Sequence, residues 1–491
     1  MSTEHRSVRD RQVPTGQACA AEVTVGLAEW PSASVAELDA AYARGETTPT
    51  EVVREVFARI RDDRGLNAYH AVTEDEAVQA AEEATARRRN GRPLSVLDGV
   101  PVTVKENLRR RGVTMPSGTA LPEPPRPDED GTVVSRLREA GALIVGSTVM
   151  PDWGMLSSGV SSRHGVTRSA WNQHLTTGGS SSGASAAAAA AHGPVHIGTD
   201  IGGSIRLPGA WNALATLKPS AGLIPLDSPF VGRAAGPMGR HAEDLFPAMA
   251  VTAQWDDRDV SGHPSPPMDF TPKTVSPKGL RVALQLDGVI GHPLDAEVRA
   301  GILAAADRFA AEGAEVSTIP AITTEDLLTR IDRFWRARSL NTLRRLPQTL
   351  QDQGVLDYIV RWCRGADNVD GATTVGDFEA LGELGARTRR MTRGFDIVLS
   401  PVTQELAFPA SAPMPRADPD RPMGHISYTL PYNMSGQPAG TVNAGLSVDH
   451  RWIGLQISGP IGTDPQVLGV MAWWESVRPE SACPPWGEID A

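Results

Sequence analysis

Two segments rich in glycine and serine contain the residue types that acyl-transfer chemistry needs. The first runs from Gly178 through Ser180, Ser181 and Ser182 to Gly183, and the second is Gly198-Thr199-Asp200-Ile201-Gly202-Gly203-Ser204. The first lacks the Gly-Lys-Ser/Thr ending of a phosphate loop, and the second is not the Gly-x-Ser-x-Gly elbow of α/β-hydrolases. A strand ending in Gly-Gly-Ser directs consecutive backbone N–H groups toward one place beside a hydroxyl. This pattern suits a serine nucleophile next to an oxyanion site, whereas a flexible linker is the plain alternative for the first segment.

A serine nucleophile needs a base, and the residues leave both histidine and lysine open. The nearby histidines stand in no recognisable triad context; they are His164, His174, His192 and His196. Lys105 follows the apolar run 100–104, where burial would lower its pKa and leave a neutral amine that accepts a proton. Only four of the 47 basic residues are lysines: Lys105, Lys218, Lys273 and Lys278. Arginine cannot be deprotonated in a protein, so a retained lysine is a candidate base.

Alternating helices and strands must position these residues. Capping boxes at Ser34 to Glu37 and Thr73 to Glu76, and a proline after Thr48, predict three helix starts. Further helices are predicted over 132–140 and 295–312, with a helix starting in the alanine run 184–191. Strands are predicted over 100–104, 143–145, 194–199, 280–284, 315–319 and 397–399. Such alternation predicts an α/β fold with a mostly parallel or mixed sheet covered on both faces.

Composition limits the class of protein. The 491 residues are 40% hydrophobic and 21% charged, which indicates a globular chain, and the net charge of −11 without a basic block argues against a nucleic-acid partner. Residues 1–30 show no periodicity and are predicted to be an arm, residues 256–278 a surface connection, and residues 321–394 a helical layer beside the sheet. The three cysteines are widely spaced, which argues against a disulfide framework or zinc module and fits a reducing compartment. With no apolar run of membrane length, we expect a cytoplasmic protein without a membrane partner.

The sequence resembles the amidase signature family. The resemblance rests on Val100 to Asn107, Gly179 to Gly183, Gly198 to Arg206 and Leu217 to Pro219, and it continues through Pro401-Val402-Thr403 and Pro431 to Pro438. It covers about residues 34 to 476 in the family's order. The spacings also agree, with 75 residues from Lys105 to Ser180 and 24 from Ser180 to Ser204. The resemblance implies one large α/β/α domain, residues 31–480, around a mixed twisted sheet, with 321–394 as a helical cap and 481–491 as a tail.

The resemblance also implies roles for individual residues. Ser204 would be the nucleophile that forms an acyl-enzyme, Ser180 the bridging serine after a cis peptide, and Lys105 the general base and then the general acid. The oxyanion hole would be the backbone N–H groups of Ile201, Gly202, Gly203 and Ser204. Trp153, Gly154 and Met155 lie where the family lines its acyl channel, although Trp153 and Met155 could equally be core residues. No metal or cofactor is implied.

Other matched residues have plainer interpretations. Asp200 and Arg206 are expected to orient the nucleophile loop, Lys218 to be structural or on the surface, and Ser181 and Ser182 to pack the loop. The chain departs from the family pattern at Ser147, Val149, Ser169, Ala170 and Asn443, and Glu106 replaces the more common aspartate. These departures leave the acyl and amine specificity open.

The function that follows is hydrolysis of a carboxylic amide in a small-molecule substrate, giving an acid plus ammonia or an amine. Two alternatives compete: an amidase component of a glutamine-dependent transamidating complex, and a non-catalytic family member. Retention of Lys105, Ser180 and Ser204 argues against the latter. Homodimers are common in the family, but the sequence has no local signal for one.

Overall fold

The computed structural model describes residues 30–259, 262, 266–289, 293–416, 418–420 and 422–486. The predicted arm, apart from residue 30, and the last five residues of the predicted tail lie outside the described residues.

A large mixed sheet forms the centre of the fold. Among the described residues it has eleven strands in the order β1-β3-β2-β6-β8-β7-β12-β13-β11-β9-β10, and β4 and β5 form a separate two-stranded ribbon. The strands are β1 Tyr69–Val72, β2 Pro101–Lys105, β3 Leu143–Thr148, β4 Val160–Ser161, β5 Gly165–Val166, β6 Val195–Asp200, β7 Ala215–Lys218, β8 Ala234–Gly239, β9 Arg281–Gln285, β10 Glu315–Ile319, β11 Ile397–Pro401, β12 Ala439–Leu446 and β13 Trp452–Ser458. Strand β2 runs parallel to both β3 and β6, whereas β6 pairs antiparallel with β8.

Helices cover both faces of this sheet. They are α1 Val35–Arg44, α2 Pro49–Asp62, α3 Glu74–Arg89, α4 Thr132–Glu139, α5 Ser182–Ala189, α6 Arg206–Trp211, α7 Leu245–Thr252, α8 Ala296–Ala311, α9 Glu325–Leu343, α10 Gln348–Gly354, α11 Asp357–Arg364, α12 Gly371–Met391, α13 Leu430–Ser435 and α14 Asp464–Val477. Neighbouring residues of one strand face opposite sides: Val282 packs into one apolar cluster and Ala283 into the other. The α/β fold class is therefore confirmed, and α9–α12 confirm the predicted helical region.

The three predicted helix starts are confirmed, but the capping box predicted at one of them is absent. Ser34 forms the full capping box with Glu37, and Thr48 caps α2 ahead of Pro49. Thr73 precedes α3, but its side chain makes no capping hydrogen bond there. Its hydroxyl accepts a hydrogen bond from Arg110 at 2.6 Å instead, and Arg110 also binds Glu76 at 2.6 Å. A tertiary ion pair has replaced the local capping box.

The cysteines depart from the sequence expectation. Cys363 is a free, buried thiol, and burial raises its pKa to about 12, but Cys483 is disulfide-bonded. The wide spacing of the cysteines argued against a disulfide framework and did not predict the disulfide at Cys483.

Over the part of the chain that the structure describes, none of the helices combines the length and the apolar character that crossing a membrane would require.

Candidate active site

Lys105 ends the buried strand β2, and its side chain is wholly buried. Its Nζ lies 2.8 Å from Ser180 Oγ, 3.1 Å from Ser181 Oγ and 3.5 Å from the carbonyl oxygen of Thr199. The strand fixes the stem of the lysine, and β6 on one side supplies Thr199. The amine therefore faces two hydroxyls that the glycine-serine segment brings from 75 residues further along the chain.

Burial lowers the pKa of Lys105 to about 7. The Arg233 cation acts in the same direction, while the carboxylates of Asp200 and Glu106 oppose it. Removing an ammonium from water disfavours its charged form, and a neighbouring cation adds repulsion. At neutral pH a large fraction of the amine is therefore unprotonated and able to accept a proton from a hydroxyl.

A cis peptide joins Gly179 to Ser180, as the family resemblance implied. Gly179 lies against the main chain, since a Cβ there would meet the carbonyl oxygens of Ser158 and Leu156, the latter at 2.7 Å. The close approach explains glycine at this position: a side chain would collide with the main chain of Leu156 and Ser158. Ser181 is the second hydroxyl at the lysine, and it also donates to the Thr199 carbonyl at 3.2 Å.

Asp200 anchors the loop that contains Ser204. Its carboxylate accepts from the Gly203 N–H at 2.8 Å, the Ile205 N–H at 3.1 Å and the Asn433 amide at 2.8 Å. Arg206 adds two more bonds, from Nη2 at 2.9 Å and Nε at 3.1 Å. Burial acts to raise the pKa of Asp200, but Arg206 and the hydrogen bonds outweigh it and hold that pKa well below its usual range. The expected orienting role of Asp200 and Arg206 agrees with these contacts.

The same hydrogen bonds correct one predicted oxyanion donor. Because the Gly203 N–H already donates to Asp200, it is not free to bind a developing oxyanion. Within the described chain, the N–H groups of Ile201, Gly202 and Ser204 have no internal acceptor. These three remain candidates for the oxyanion hole.

Ser180 and Ser204 line one cavity of about 410 Å³. Trp153, Gly154 and Met155, which the sequence suggested for the acyl channel, line it too. No hydrogen bond joins the two serine hydroxyls within the described part of the chain. Lys105 therefore contacts Ser180 directly, and Ser204 lines the same cavity as Ser180.

Sequence reasoning missed two arginines at this cavity. Arg233 and Arg338 both line it, together with Phe230. Arg338 comes from α9, more than a hundred residues beyond Ser204, and no local pattern distinguishes it from the chain's other arginines. Only the folding of the helical region over the sheet reveals it.

Lys218 is buried at the end of β7, so the surface alternative for it is wrong. Its Nζ donates to the Pro219 carbonyl at 2.6 Å, and it does not line the cavity that contains Ser204. A larger surface cavity of about 700 Å³, around Glu405 and Arg451, contains none of the predicted site residues.

Among the described residues, one cluster has ligand atoms close enough to hold a metal ion: His70, Glu106 and His164. Glu106 is already occupied, accepting from the Gly118 N–H at 2.8 Å and lying 3.0 Å from His164 Nε2. None of the three lines the cavity of Ser180 and Ser204.

Comparisons with known proteins place this chain in a family. A family model described as Amidase matches residues 51–468. The A subunit of the glutamyl-tRNA(Gln) amidotransferase of Halorhodospira halophila is 32% identical over 477 residues, covering 89% of this chain and 95% of that protein. A bacterial aryl acylamidase of the amidase signature enzymes superposes with a TM-score of 0.80 at 25% identity, covering 90% of this chain and 96% of the other. The peptide amidase of Stenotrophomonas maltophilia shares the fold, with a TM-score of 0.79 at 24% identity and coverage of 94% and 100%. Because the family model spans well over half of the sequence, the chain belongs to the amidase signature family.

Proposed function

We propose that this protein hydrolyses a carboxylic amide through Ser204, Ser180 and Lys105. The observation that carries the proposal is the wholly buried Lys105 amine, with a pKa lowered to about 7, held 2.8 Å from Ser180 Oγ. A buried lysine without a salt bridge costs free energy, and a lowered pKa in a cavity is typical of a catalytic base. Ser204 shares that cavity with Ser180.

The first half-reaction forms the acyl-enzyme. Ser204 Oγ attacks the amide carbonyl carbon, its proton passes to Ser180, and the Ser180 proton passes to Lys105 Nζ. The carbonyl oxygen becomes an oxyanion, which the N–H groups of Ile201, Gly202 and Ser204 would bind. One such donor typically contributes about 10²–10³ in rate.

Loss of the amine completes the first half-reaction, and hydrolysis of the acyl-enzyme is the second. The C–N bond breaks as the leaving nitrogen takes a proton from Lys105 through Ser180, and the amine departs. Water then attacks the ester carbonyl with the same groups acting as base, and the C–O bond to Ser204 breaks to give the acid. The lysine serves as base and acid in turn, which a pKa near the operating pH permits.

Active-site labelling tests this assignment. The protein is incubated with a fluorophosphonate, and its intact mass and peptide map are recorded for the wild type, Lys105→Ala and the exposed control Lys278→Ala. We expect one adduct on Ser204, formed at the wild-type rate in Lys278→Ala and about 10²-fold or more slowly in Lys105→Ala. An adduct on another serine, or no adduct on folded wild type, would overturn the proposal.

A second candidate is supported by the curated relatives, which include the A subunits of glutamyl-tRNA(Gln) amidotransferases at 28–32% identity. In this alternative the same site would release ammonia from glutamine within a transamidating complex. A requirement for a partner and ATP, with no turnover of small amides by the chain alone, would favour it. Steady turnover of simple amides by the isolated chain would favour the free-standing hydrolase.

A further inference from the structure

Two arginines face the cavity of Ser180 and Ser204 without a carboxylate partner. Arg233 donates to the Ser228 carbonyl at 2.8 Å, and Arg338 lies over the Phe230 ring with its Cζ 4.1 Å from the ring centroid. In the described part of the chain, neither guanidinium forms an ion pair with a carboxylate. Their neutral contacts orient both side chains and leave both guanidinium groups able to bind an anion.

The cavity itself has no free acid to balance them. Its acidic lining residue is Asp200, whose oxygens are already bound by Arg206 and by the loop. Asp227 lies near Arg233, but it accepts from the Thr132 N–H and pairs with Arg109. Burial lowers the pKa of Arg233, and the charge of Arg338 lowers it further. Arg338 is exposed and Arg233 is partly buried, and a pair of guanidinium groups at one cavity suits the binding of a carboxylate.

The second cavity beside Ser204 has a different character. It is about 60 Å³, and its lining is mainly apolar, with Leu207, Trp335, Met414 and Ile426. It shares Ser204 and Arg338 with the larger cavity, but Ser180 lines only the larger one. The nucleophile thus stands between a small, mainly apolar compartment and a larger one; Arg233 lines only the larger compartment, and Arg338 lines both.

The route of the proton determines which of the two cavities each half of the substrate occupies. The leaving nitrogen takes its proton through Ser180, so the amine half must lie on the Ser180 side. That side is the compartment that Arg233 lines, and Arg338 lies where the two compartments meet. The acyl half then points into the small apolar cavity, which Gly154 and Met155 also line, whereas Trp153, which the resemblance suggested for the acyl channel, lines only the larger cavity.

We infer that the substrate is an N-acyl amine whose amine half bears a carboxylate, as in an acylated amino acid, with a small apolar acyl group. The assignment rests on the proposed amide hydrolysis. Arg338 and Arg233 would bind the carboxylate, and water would convert the substrate into a small carboxylic acid and a free amino acid.

A matched pair of chromogenic anilides tests this substrate class. N-butanoyl-5-amino-2-nitrobenzoate carries a carboxylate on its amine half, and N-butanoyl-4-nitroaniline does not; both release a coloured nitroaniline. Wild type should favour the anionic substrate by about tenfold or more in kcat/KM, as one charge-assisted hydrogen bond allows. In Arg338→Gln that preference should fall about tenfold, mainly through KM, and Arg338→Lys should retain part of it. The matched control Arg344→Gln, in an exposed ion pair with Asp367, should keep it.

Calorimetric binding of the two product amines separates this inference from the proposed function. Cleavage of both anilides with no preference, or with a preference that Arg338→Gln and Arg338→Lys leave unchanged, overturns the inference while hydrolysis stands. Absence of cleavage together with Arg338-dependent binding of 5-amino-2-nitrobenzoate supports the anion site and overturns the hydrolase. Absence of both overturns both.

Discussion

Asp200 and Arg206 form a doubly hydrogen-bonded ion pair with both side chains wholly shielded from solvent. The pair ties the end of β6 to the start of α6, and the loop with Ser204 lies between them. Arg206 continues the network to Gln456 at 2.8 Å and Asn433 at 2.6 Å. The nucleophile loop is therefore held by charges that are paired inside the protein.

We expect Asp200→Asn to destabilise the protein by about 3–5 kcal/mol, because it leaves the Arg206 charge buried and uncompensated. Urea unfolding of both proteins measures this change. In the control, Asp367→Asn breaks the exposed Arg344–Asp367 pair and should change stability by less than about 1 kcal/mol. A loss below about 1 kcal/mol in Asp200→Asn would show that the pair does not hold the loop.

The rate of amide hydrolysis should depend on the protonation of Lys105. Since burial lowers its pKa to about 7 and the neutral amine is the reactive form, kcat/KM should rise with pH below 7 and level off above it. Arg233 lowers this pKa through its charge, so Arg233→Gln should move the rising limb to higher pH. A neutral amide substrate keeps anion binding out of the measurement, and Arg344→Gln should leave the limb in place. A limb that stays or moves to lower pH in Arg233→Gln would contradict this account.

Gly179→Ala should destabilise the protein by about 1–3 kcal/mol, because the new methyl group meets two backbone carbonyl oxygens that cannot rotate away. Labelling of Ser204 should slow at the same time, since the serine segment must shift from Lys105. Gly382, inside α12, has open space around it, so Gly382→Ala should stabilise the protein by about 0.5–1 kcal/mol. Thermal unfolding and the labelling assay together measure both effects. Equal changes in stability and in labelling rate for Gly179→Ala and Gly382→Ala would rule out the steric explanation.

Lys218 should make stability depend on pH. Burial lowers its pKa to about 7, with the Arg206 charge acting in the same direction and Asp200 and Asp464 opposing. The pKa rises to about 10.5 in the unfolded chain. Between these values the unfolded state binds a proton that the native state does not, so stability rises with pH.

Removing the amine tests this linkage. In Lys218→Met, the slope of unfolding free energy against pH from 7 to 9 should fall by up to about 1.4 kcal/mol per pH unit relative to wild type. Urea unfolding at pH 7, 8 and 9 gives the slopes, and the exposed Lys273→Met is the matched control. An unchanged slope in Lys218→Met would show that the lysine titrates normally in the folded protein.

The sequence by itself determined the elements around the site and the candidate residues in them. The apolar run before Lys105 predicted a strand, and the Ser34 and Thr48 caps predicted where α1 and α2 begin. These signals are local: they depend on neighbours a few residues away, so the sequence alone is enough to read them. The family resemblance added the roles of Lys105, Ser180 and Ser204, which the experiments above test.

Tertiary structure alone decided which groups meet. The Gly203 N–H donates to the Asp200 carboxylate, and the Thr73 hydroxyl accepts from Arg110 instead of capping α3. In each case the charged partner in the folded protein is the stronger one. Arg338 reaches the cavity only because α9 packs beside the loop after β6 that contains Ser204. Hydrogen bonds and charges act over a few ångströms in space regardless of separation along the chain, so these contacts follow from packing rather than from local sequence.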